Sequence, residues 1–470
     1  MTSDKRLRSA VLVVATLTAF MMPFMASAVN LALPAIQREF SLSAAMVNGI
    51  VSIYLLSAAV ALVPSGRLAD LYGRKLLFTA GVVLFSASSL VLGFSNGIVW
   101  LLAGRVAQGL GGGMMMATGL AIISSVFPAG ERGRAIGFNV AAVYVGLAVG
   151  PYAGGLLTEA LGWRSIFLCN FPLGVLTVVL LVLKVPGEWA DGGKGRFDGL
   201  GAVLYAFSLV SFMAGLSLLP ALSGLLLVLF GAGGFVLFTC HELRAPFPLF
   251  EVRLFRDNRV FAFSNVAALI NYAATYSVAF LLSLYLQYIK DMSPSEAGVV
   301  MVTQPLLQAF LSPYTGKLSD RIEPGLLASG GMLSTALGLT IFAFLGRETP
   351  MAFIFVALVL LGLGFAFFSS PNTNAIMGSV PSRFYGAASG SVGTMRVLGQ
   401  MTSMAVITVV FAALLGSGQI TPERYGTFLV VVRICFSISS LLCFLGVFFS
   451  WFRGNLHGAA AGKGEREEGE

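Results

Sequence analysis

The chain has 470 residues, a formal net charge of +8, 57% hydrophobic and 11% charged residues, and a mean hydropathy of +0.88. A soluble globule carries about a quarter charged residues, so this composition excludes a soluble fold and leaves no domain to bind nucleic acid. Two histidines, four cysteines without Cys-x-x-Cys spacing and the lack of a P-loop argue against a metal centre, a disulfide framework or a built-in ATPase.

Apolar runs of about 20 residues, long enough to cross lipid, recur along the whole chain. Span 1 (9–31) follows Lys5, Arg6 and Arg8 and contains Ala26-Ser27-Ala28, which imitates a secretory signal and its cleavage site. Its apolar run of about 20 residues exceeds the usual 7–15, so an uncleaved span ending near Asn30 is expected. Span 2 (45–65) leads into Gly66-Arg67-Leu68-Ala69-Asp70-Leu71-Tyr72-Gly73-Arg74-Lys75, a polar hinge before span 3 (76–97). Span 4 (99–126) holds Arg105 and Gln108 ahead of Gly109, Gly111, Gly112 and Gly113. An arginine inside a span costs about 2.5–3.5 kcal/mol on translocon scales and is rarely kept without use. Span 5 (135–160) carries Asn139, Tyr144, Gly146, Gly150, Pro151, Gly154 and Gly155. Pro151 removes a helix hydrogen bond, and the glycines offer a flat, bendable face. Span 6 (165–183) follows.

Leu200 to Cys240 contains no Asp, Glu, Lys, Arg, Asn or Gln. At 1.5 Å per residue it would extend roughly 60 Å, about twice the hydrocarbon thickness, so it is predicted to fold back once near Pro220 as spans 7 (198–219) and 8 (221–240). Span 9 (259–289) carries Asn265, Asn271, Tyr272 and Tyr276; span 10 (295–315) carries Gln304 and Gln308. Gly316-Lys317-Leu318-Ser319-Asp320-Arg321 then repeats the Gly66 segment in weaker form, ahead of span 11 (325–346). Span 12 (350–376) holds Asn372 and Asn374, span 13 (385–416) holds Arg396 and Gln400, and span 14 (426–452) completes the set. The fold expected is all-α and membrane-embedded, with 14 transmembrane helices. Residues 1–184 and 259–452 form two six-helix halves, 185–258 an inserted pair of spans with its linkers, and 453–470 a tail too polar to fold.

Orientation follows from the basic residues. Of 29 Lys and Arg, Arg38, Arg164, Lys290, Arg347 and Arg424 fall in one set of loops, Arg105, Arg396 and Arg433 fall inside spans, and all others lie on the opposite side. The positive-inside rule makes that side, with both termini, cytoplasmic. Polar side chains inside spans normally face the interior, and Arg105/Gln108, Asn271/Thr275, Gln304/Gln308 and Arg396/Gln400 each share a helix face. Such pairs either line a cavity or hold helices together. With Asn30, Asn139, Tyr144, Tyr276 and Asn372 they are the candidate cavity residues.

The Gly66–Lys75 segment resembles the G-x-L-A-D-x-x-G-R-K loop between helices 2 and 3 of the major facilitator superfamily, in particular its fourteen-span drug:proton antiporter branch. Arg105 to Gly111 is similar to that family's R-x-x-Q-G-x-G pattern, and Gly146 to Gly155 to its antiporter motif. Trp163-Arg164, Phe167, Asn170 and Pro172 match its approach to helix 6. The resemblance implies a gate of Gly66, Asp70, Gly73 and Arg74, with Asp320 in the second copy. It further implies proton coupling through Asp70 and Arg105, and a hinge sealing the two halves at Gly146, Gly150, Pro151, Gly154 and Gly155. One departure stands out: Ser27-Ala28-Val29-Asn30-Leu31-Ala32-Leu33-Pro34 follows the branch's span 1 pattern, yet Met25 occupies its Asp position. No Asp or Glu lies deep in any span, which leaves Asp70 as the acid expected beside Arg105. With Arg105 and Arg396 inside, neutral, zwitterionic or anionic amphiphiles are favoured over strong cations.

The function implied is proton-driven export of hydrophobic or amphipathic small molecules across the inner membrane, by a cofactor-free, non-enzymatic monomer in lipid working by alternating access. Two other readings stay open. One is a transporter or facilitator for a specific metabolite or lipid without proton coupling, which Met25 favours. The other is a non-transporting sensor or assembly partner, which would need a partner-binding region that the short loops do not offer.

Overall fold

In hydrocarbon every backbone N–H and C=O must be satisfied within the protein, so long apolar runs become helices. A computed structural model describes residues 2–41, 44–188, 196–219, 221–250, 252–292, 294–414 and 422–454, which are helical apart from short connections. The helices are α1 (Thr2–Phe40), α2 (Ala44–Tyr72), α3 (Arg74–Gly93), α4 (Ile98–Val126), α5 (Ala129–Leu161), α6 (Arg164–Leu168), α7 (Asn170–Lys184), α8 (Gly199–Leu218) and α9 (Leu222–Arg244). They continue as α10 (Arg253–Asp257), α11 (Arg259–Thr275), α12 (Ser277–Tyr288), α13 (Pro294–Met301), α14 (Thr303–Leu318), α15 (Pro324–Ala343), α16 (Met351–Gly378), α17 (Tyr385–Leu414) and α18 (Tyr425–Trp451).

Among the described residues, 13 helical segments are long and apolar enough to cross a membrane. The remaining predicted span is α13 and α14, interrupted at Val302. Pro305 accounts for the break, because it has no N–H to return to the carbonyl of Met301 and its ring crowds that carbonyl. The fold-back near residue 220 falls between α8 and α9, as its length requires.

Helices α1–α7 form one half, with α5 on α1 and α4 against α2 and α3; α11–α18 form the other, with α11 on α17 and α16 against α14 and α15. The halves meet along α2–α17 and α5–α14. The inserted pair, α8 and α9, lies against the first of these seams. Tyr205 of α8 donates from its hydroxyl to the Ala59 carbonyl of α2 at 3.0 Å and sits 3.4 Å from Thr394 Oγ1 of α17. Leu62, Leu209, Phe238 and Val397 bury the rest of the contact. Tyr205→Phe removes one such bond, a loss of about 0.5–1.5 kcal/mol. A small drop in thermal stability with transport retained is expected; unchanged melting would show that the hydroxyl does not tie the pair to the seam.

At the end of the first half remote from residues 66–75, Glu39 accepts from Trp163 Nε1 at 2.7 Å and from Arg164 Nη1 at 3.0 Å and Nη2 at 2.5 Å, joining α1 to α6. The bonded Arg164 guanidinium holds the Glu39 carboxyl below the usual carboxylate range. A lowered carboxyl stabilises the fold above its unfolded pKa and loses that contribution as pH falls through the lowered value. The pair is 30% and 40% exposed, so its worth stays below about 1 kcal/mol. Glu39→Gln should lower the melting temperature slightly at neutral pH, a difference that closes on acidification below about pH 4. A difference that grew with acid would contradict this pairing.

Candidate functional site

Asp70, near the end of α2, reaches across the α2–α17 seam. Its Oδ1 accepts from the Gly386 amide at 3.0 Å and its Oδ2 from the Ala387 amide at 3.2 Å. These successive amides lie at the start of α17, where the helix dipole favours negative charge. Arg74 pairs with the same carboxylate through Nη2 at 3.0 Å and Nε at 3.2 Å. It also donates to Ser125 Oγ at 2.7 Å and to the Ser382 carbonyl, and its guanidinium lies 5.5 Å from the Tyr385 ring. Asp70 and Arg74 are only 4% and 2% exposed. Gly66, one turn before Asp70, permits this approach, since a Cβ there would lie 2.5 Å from Gly386 O. Gly73 turns the chain between α2 and α3 at φ +120°, where a side chain would be strained. The following amides of Lys75 and Leu76 donate to Glu188 at 2.7 and 2.9 Å.

The second copy builds the same device with the halves exchanged. Asp320, just beyond α14, accepts from the Gly133 amide at 2.7 Å and the Arg134 amide at 3.0 Å, near the start of α5. Gly133 and Gly316 meet backbone to backbone, as Gly66 and Gly386 do. The copies differ in one respect. Pro324 stands where Arg74 would repeat, so Asp320 has no paired guanidinium in its own segment. An amide network takes that place, with Arg132 Nε donating to Asn374 Oδ1 at 3.0 Å and Asn374 Nδ2 to Ser319 Oγ at 3.0 Å. Burial pushes the Asp320 carboxyl above its ordinary range, against the pull of the Gly133 and Arg134 amides and the Arg132 charge.

Away from these two contacts the halves part around a cavity of about 80 Å³. Its wall includes Thr18, Met22, Met115, Met116, Asn139, Thr373, Ser389 and Arg396, with no Asp or Glu among the described lining residues. Asn139 Nδ2 donates to the Ala15 carbonyl at 2.9 Å and Ser389 Oγ to the Met116 carbonyl at 3.0 Å. The Arg396 guanidinium lies 5.3 Å from the Tyr272 ring, and its Nε has no hydrogen-bond partner. Phe365 stands 6.4 Å from both Tyr144 and Tyr272.

Of the candidate cavity residues, the structure brings Asn139 and Arg396 to the wall and sets Tyr144 one turn from the lining Val140 and next to the lining Val143. Arg105 and Gln108 are elsewhere. Arg105 donates to Gln108 Oε1 at 2.6 Å and to the Ile50 carbonyl at 3.2 Å, and lies 4.2 Å from the Tyr54 ring centre; Gln108 donates to Ser89 Oγ at 2.7 Å. Both are sealed inside the first half and hold its helices together. The expected Asp70–Arg105 pair is corrected accordingly: Ile50 and Tyr54 precede Asp70 by about 16–20 residues of α2, or roughly 24–30 Å. Arg105 lies near the start of α4, which enters from the far end.

Asn372 also leaves the cavity set, donating to the Ser264 carbonyl at 3.0 Å and accepting from Arg453 Nη1 at 2.8 Å. Asn271 and Gln308 are buried away from the wall, with neither amide atom of Asn271 hydrogen-bonded. Gln304 and Gln400 are partly exposed and Tyr276 is exposed, all outside the wall. The side chains of Asn30 and Pro151 lie outside the described residues. The glycine motif of α5 seals a different contact from the one expected. A Cβ on Gly146 would lie 2.6 Å from Phe20 O, on Gly150 2.6 Å from Ser27 Cβ, and on Gly154 2.7 Å from Ala28 Cα. Their four-residue spacing places these three on one helix face, and that face packs on α1 within the same half. Gly155 is partly buried beside them.

Sequence reasoning missed the receiving amides at Gly133 and Gly386, the Arg132–Asn374 link and the Tyr205 contact. Only the polar Asn374 gave a signal, and its partner could not be read from it.

Comparison with known proteins agrees with this architecture. A family model described as Major Facilitator Superfamily matches residues 15–264 and again 264–469. The chain is 30% identical over 448 residues to the riboflavin transporter RibZ of Clostridioides difficile (strain 630), covering 94% of this chain and 96% of that one. It is 33% identical over 404 residues to the multidrug resistance protein Stp of Mycobacterium tuberculosis (strain CDC 1551 / Oshkosh), covering 85% and 75%. The crystal structure of the human organic anion transporter MFSD10 (TETRAN) superposes with a TM-score of 0.67 over 95% of this chain and 99% of that one, at 15% identity, a likeness of fold alone. Two six-helix halves, crossed at both seams by the same carboxylate-to-helix contact and matched by that family model along nearly their whole length, make this multi-pass membrane protein a member of the major facilitator superfamily.

Proposed function

We propose that the protein is a secondary active transporter that exports hydrophobic or amphipathic small molecules by alternating access, drawing on proton influx. It works as a monomer in the inner membrane with both termini cytoplasmic. The observation that carries this reading is a cavity between two halves, shut at one end by a pair of matching cross-half contacts at Asp70 and Asp320. The basic residues gather at that end, so the positive-inside rule makes it cytoplasmic and the described state cytoplasm-closed. Similarity to Stp supports efflux of varied compounds.

With no carboxylate on the described cavity wall, the gate itself is the candidate for coupling. Closing it buries Asp320 and raises its proton affinity; opening returns the carboxyl to water. A cycle in which proton affinity changes with gate position is what coupling requires. One charge crossing 100 mV supplies about 2.3 kcal/mol, enough for tens-fold accumulation.

Purified protein in liposomes tests this. Substrate-evoked proton movement supports the proposal, and absence of flux for every compound tried overturns it. Flux without proton movement would favour a facilitator of a specific metabolite, a reading that the 30% identity to RibZ keeps in view.

A further inference from the structure

Among the described residues the cavity wall has one charged side chain, Arg396, which makes no ion pair. Its guanidinium is held against the Tyr272 ring, and its Nε is a buried donor without an acceptor. An unmatched donor of this kind is costly unless an incoming group supplies the missing acceptor. The other polar groups offer less. Asn139 and Ser389 already donate to the Ala15 and Met116 carbonyls, so a polyol would find few free partners. Met22, Met115 and Met116 supply polarizable, adaptable apolar surface suited to a ring face. Arg396 adds a planar cation able to take a carboxylate or phenolate in fork geometry.

We infer that the cavity selects flat aromatic anions, fused-ring phenolates or carboxylates, with Arg396 binding the anionic group and the methionines covering the ring. A lipophilic cation of the same shape meets a fixed positive charge and no carboxylate. This inference rests on the transport reading above for its purpose, while its binding chemistry stands on the cavity alone.

The test uses two xanthene dyes of like frame and opposite charge, fluorescein and rhodamine 6G. Each is titrated by fluorescence anisotropy against the full chain in nanodiscs, with empty nanodiscs subtracted. Wild type should bind fluorescein about ten-fold more tightly than rhodamine 6G, as expected for a hydrogen bond to a charged group. Arg396→Gln should erase that preference, and Arg396→Lys should keep part of it. Equal or tighter binding of rhodamine 6G by wild type overturns the inference without any variant, as does fluorescein binding unchanged in Arg396→Gln. Efflux of the neutral dye Nile red separates the two readings. Nile red export without fluorescein binding sinks the inference and spares the exporter; Arg396-dependent fluorescein binding without flux of any compound does the reverse.

Discussion

Replacing Asp70 by Asn is expected to abolish transport while leaving membrane insertion intact. The carboxylate closes the α2–α17 seam through two amides of α17 and is the paired anion of Arg74, and both side chains are almost fully buried. Removing one partner of a buried ion pair costs about 3–5 kcal/mol, because the other charge is left uncompensated. A penalty of about 3 kcal/mol on the closed gate alone moves the closed-to-open ratio by more than a hundred-fold, enough to strand the cycle in the open form. Asp320→Asn should act differently, since Pro324 replaces the guanidinium there and an asparagine oxygen still accepts from α5. About 0.5–1.5 kcal/mol is at stake for the contact, so the gate still closes and downhill flux persists, while the proton-driven accumulation assigned to Asp320 is lost. The pH dependence of closure changes with it. The raised Asp320 carboxyl makes the closed gate bind a proton more tightly than the open one. Closure is therefore favoured at low pH, and that contribution fades as pH rises through the raised value. The Asn variant should lose this slope. Full activity in Asp70→Asn, or equal damage from both substitutions, would sink the assignment of unequal locks.

Gly66→Val is the second substitution expected to be severe. The added Cβ would lie 2.5 Å from the Gly386 carbonyl oxygen and 2.9 Å from its carbon, and neither backbone atom can rotate away. Relief requires α2 and α17 to separate, which breaks the Asp70 contacts one turn further on. Transport should fall to background in a protein that still purifies as a single species. Gly130→Ala, where a Cβ meets nothing within 4 Å, is the matched control and should be silent. Wild-type transport by Gly66→Val would show that the seam never closes this tightly during turnover.

The unequal reading of site and fold from sequence has a physical cause. Span length is a property of the chain and the bilayer, so the helices were legible. The interruptions at Cys169, Tyr276 and Val302 escaped, although Pro305 announces the last. Asp70 and Asp320 were legible because a charged segment repeated between apolar runs has few other uses. The sites that receive them were not, because the donors there are backbone amides of Gly133, Arg134, Gly386 and Ala387. Intramembrane polar residues proved a weak guide to the cavity. Several satisfy one another inside a single half, as Arg105 does with Gln108 and Asn372 with Arg453. Asn139 and Arg396 are the exceptions that reached the wall, Arg396 with its Nε left without an acceptor.

Whether carboxylate-to-helix contacts hold one end of the cavity shut can be read from a distance across that end. Spin labels at Tyr72 of α2 and Arg383 beside α17, both exposed, would be introduced on a background with Cys169, Cys240, Cys435 and Cys443 replaced by Ser. Pulsed electron–electron resonance then compares the substrate-free protein with its Asp70→Asn variant. A predominant short distance is expected in the first and a shift to a longer one in the second. The same distance distribution in both would contradict it.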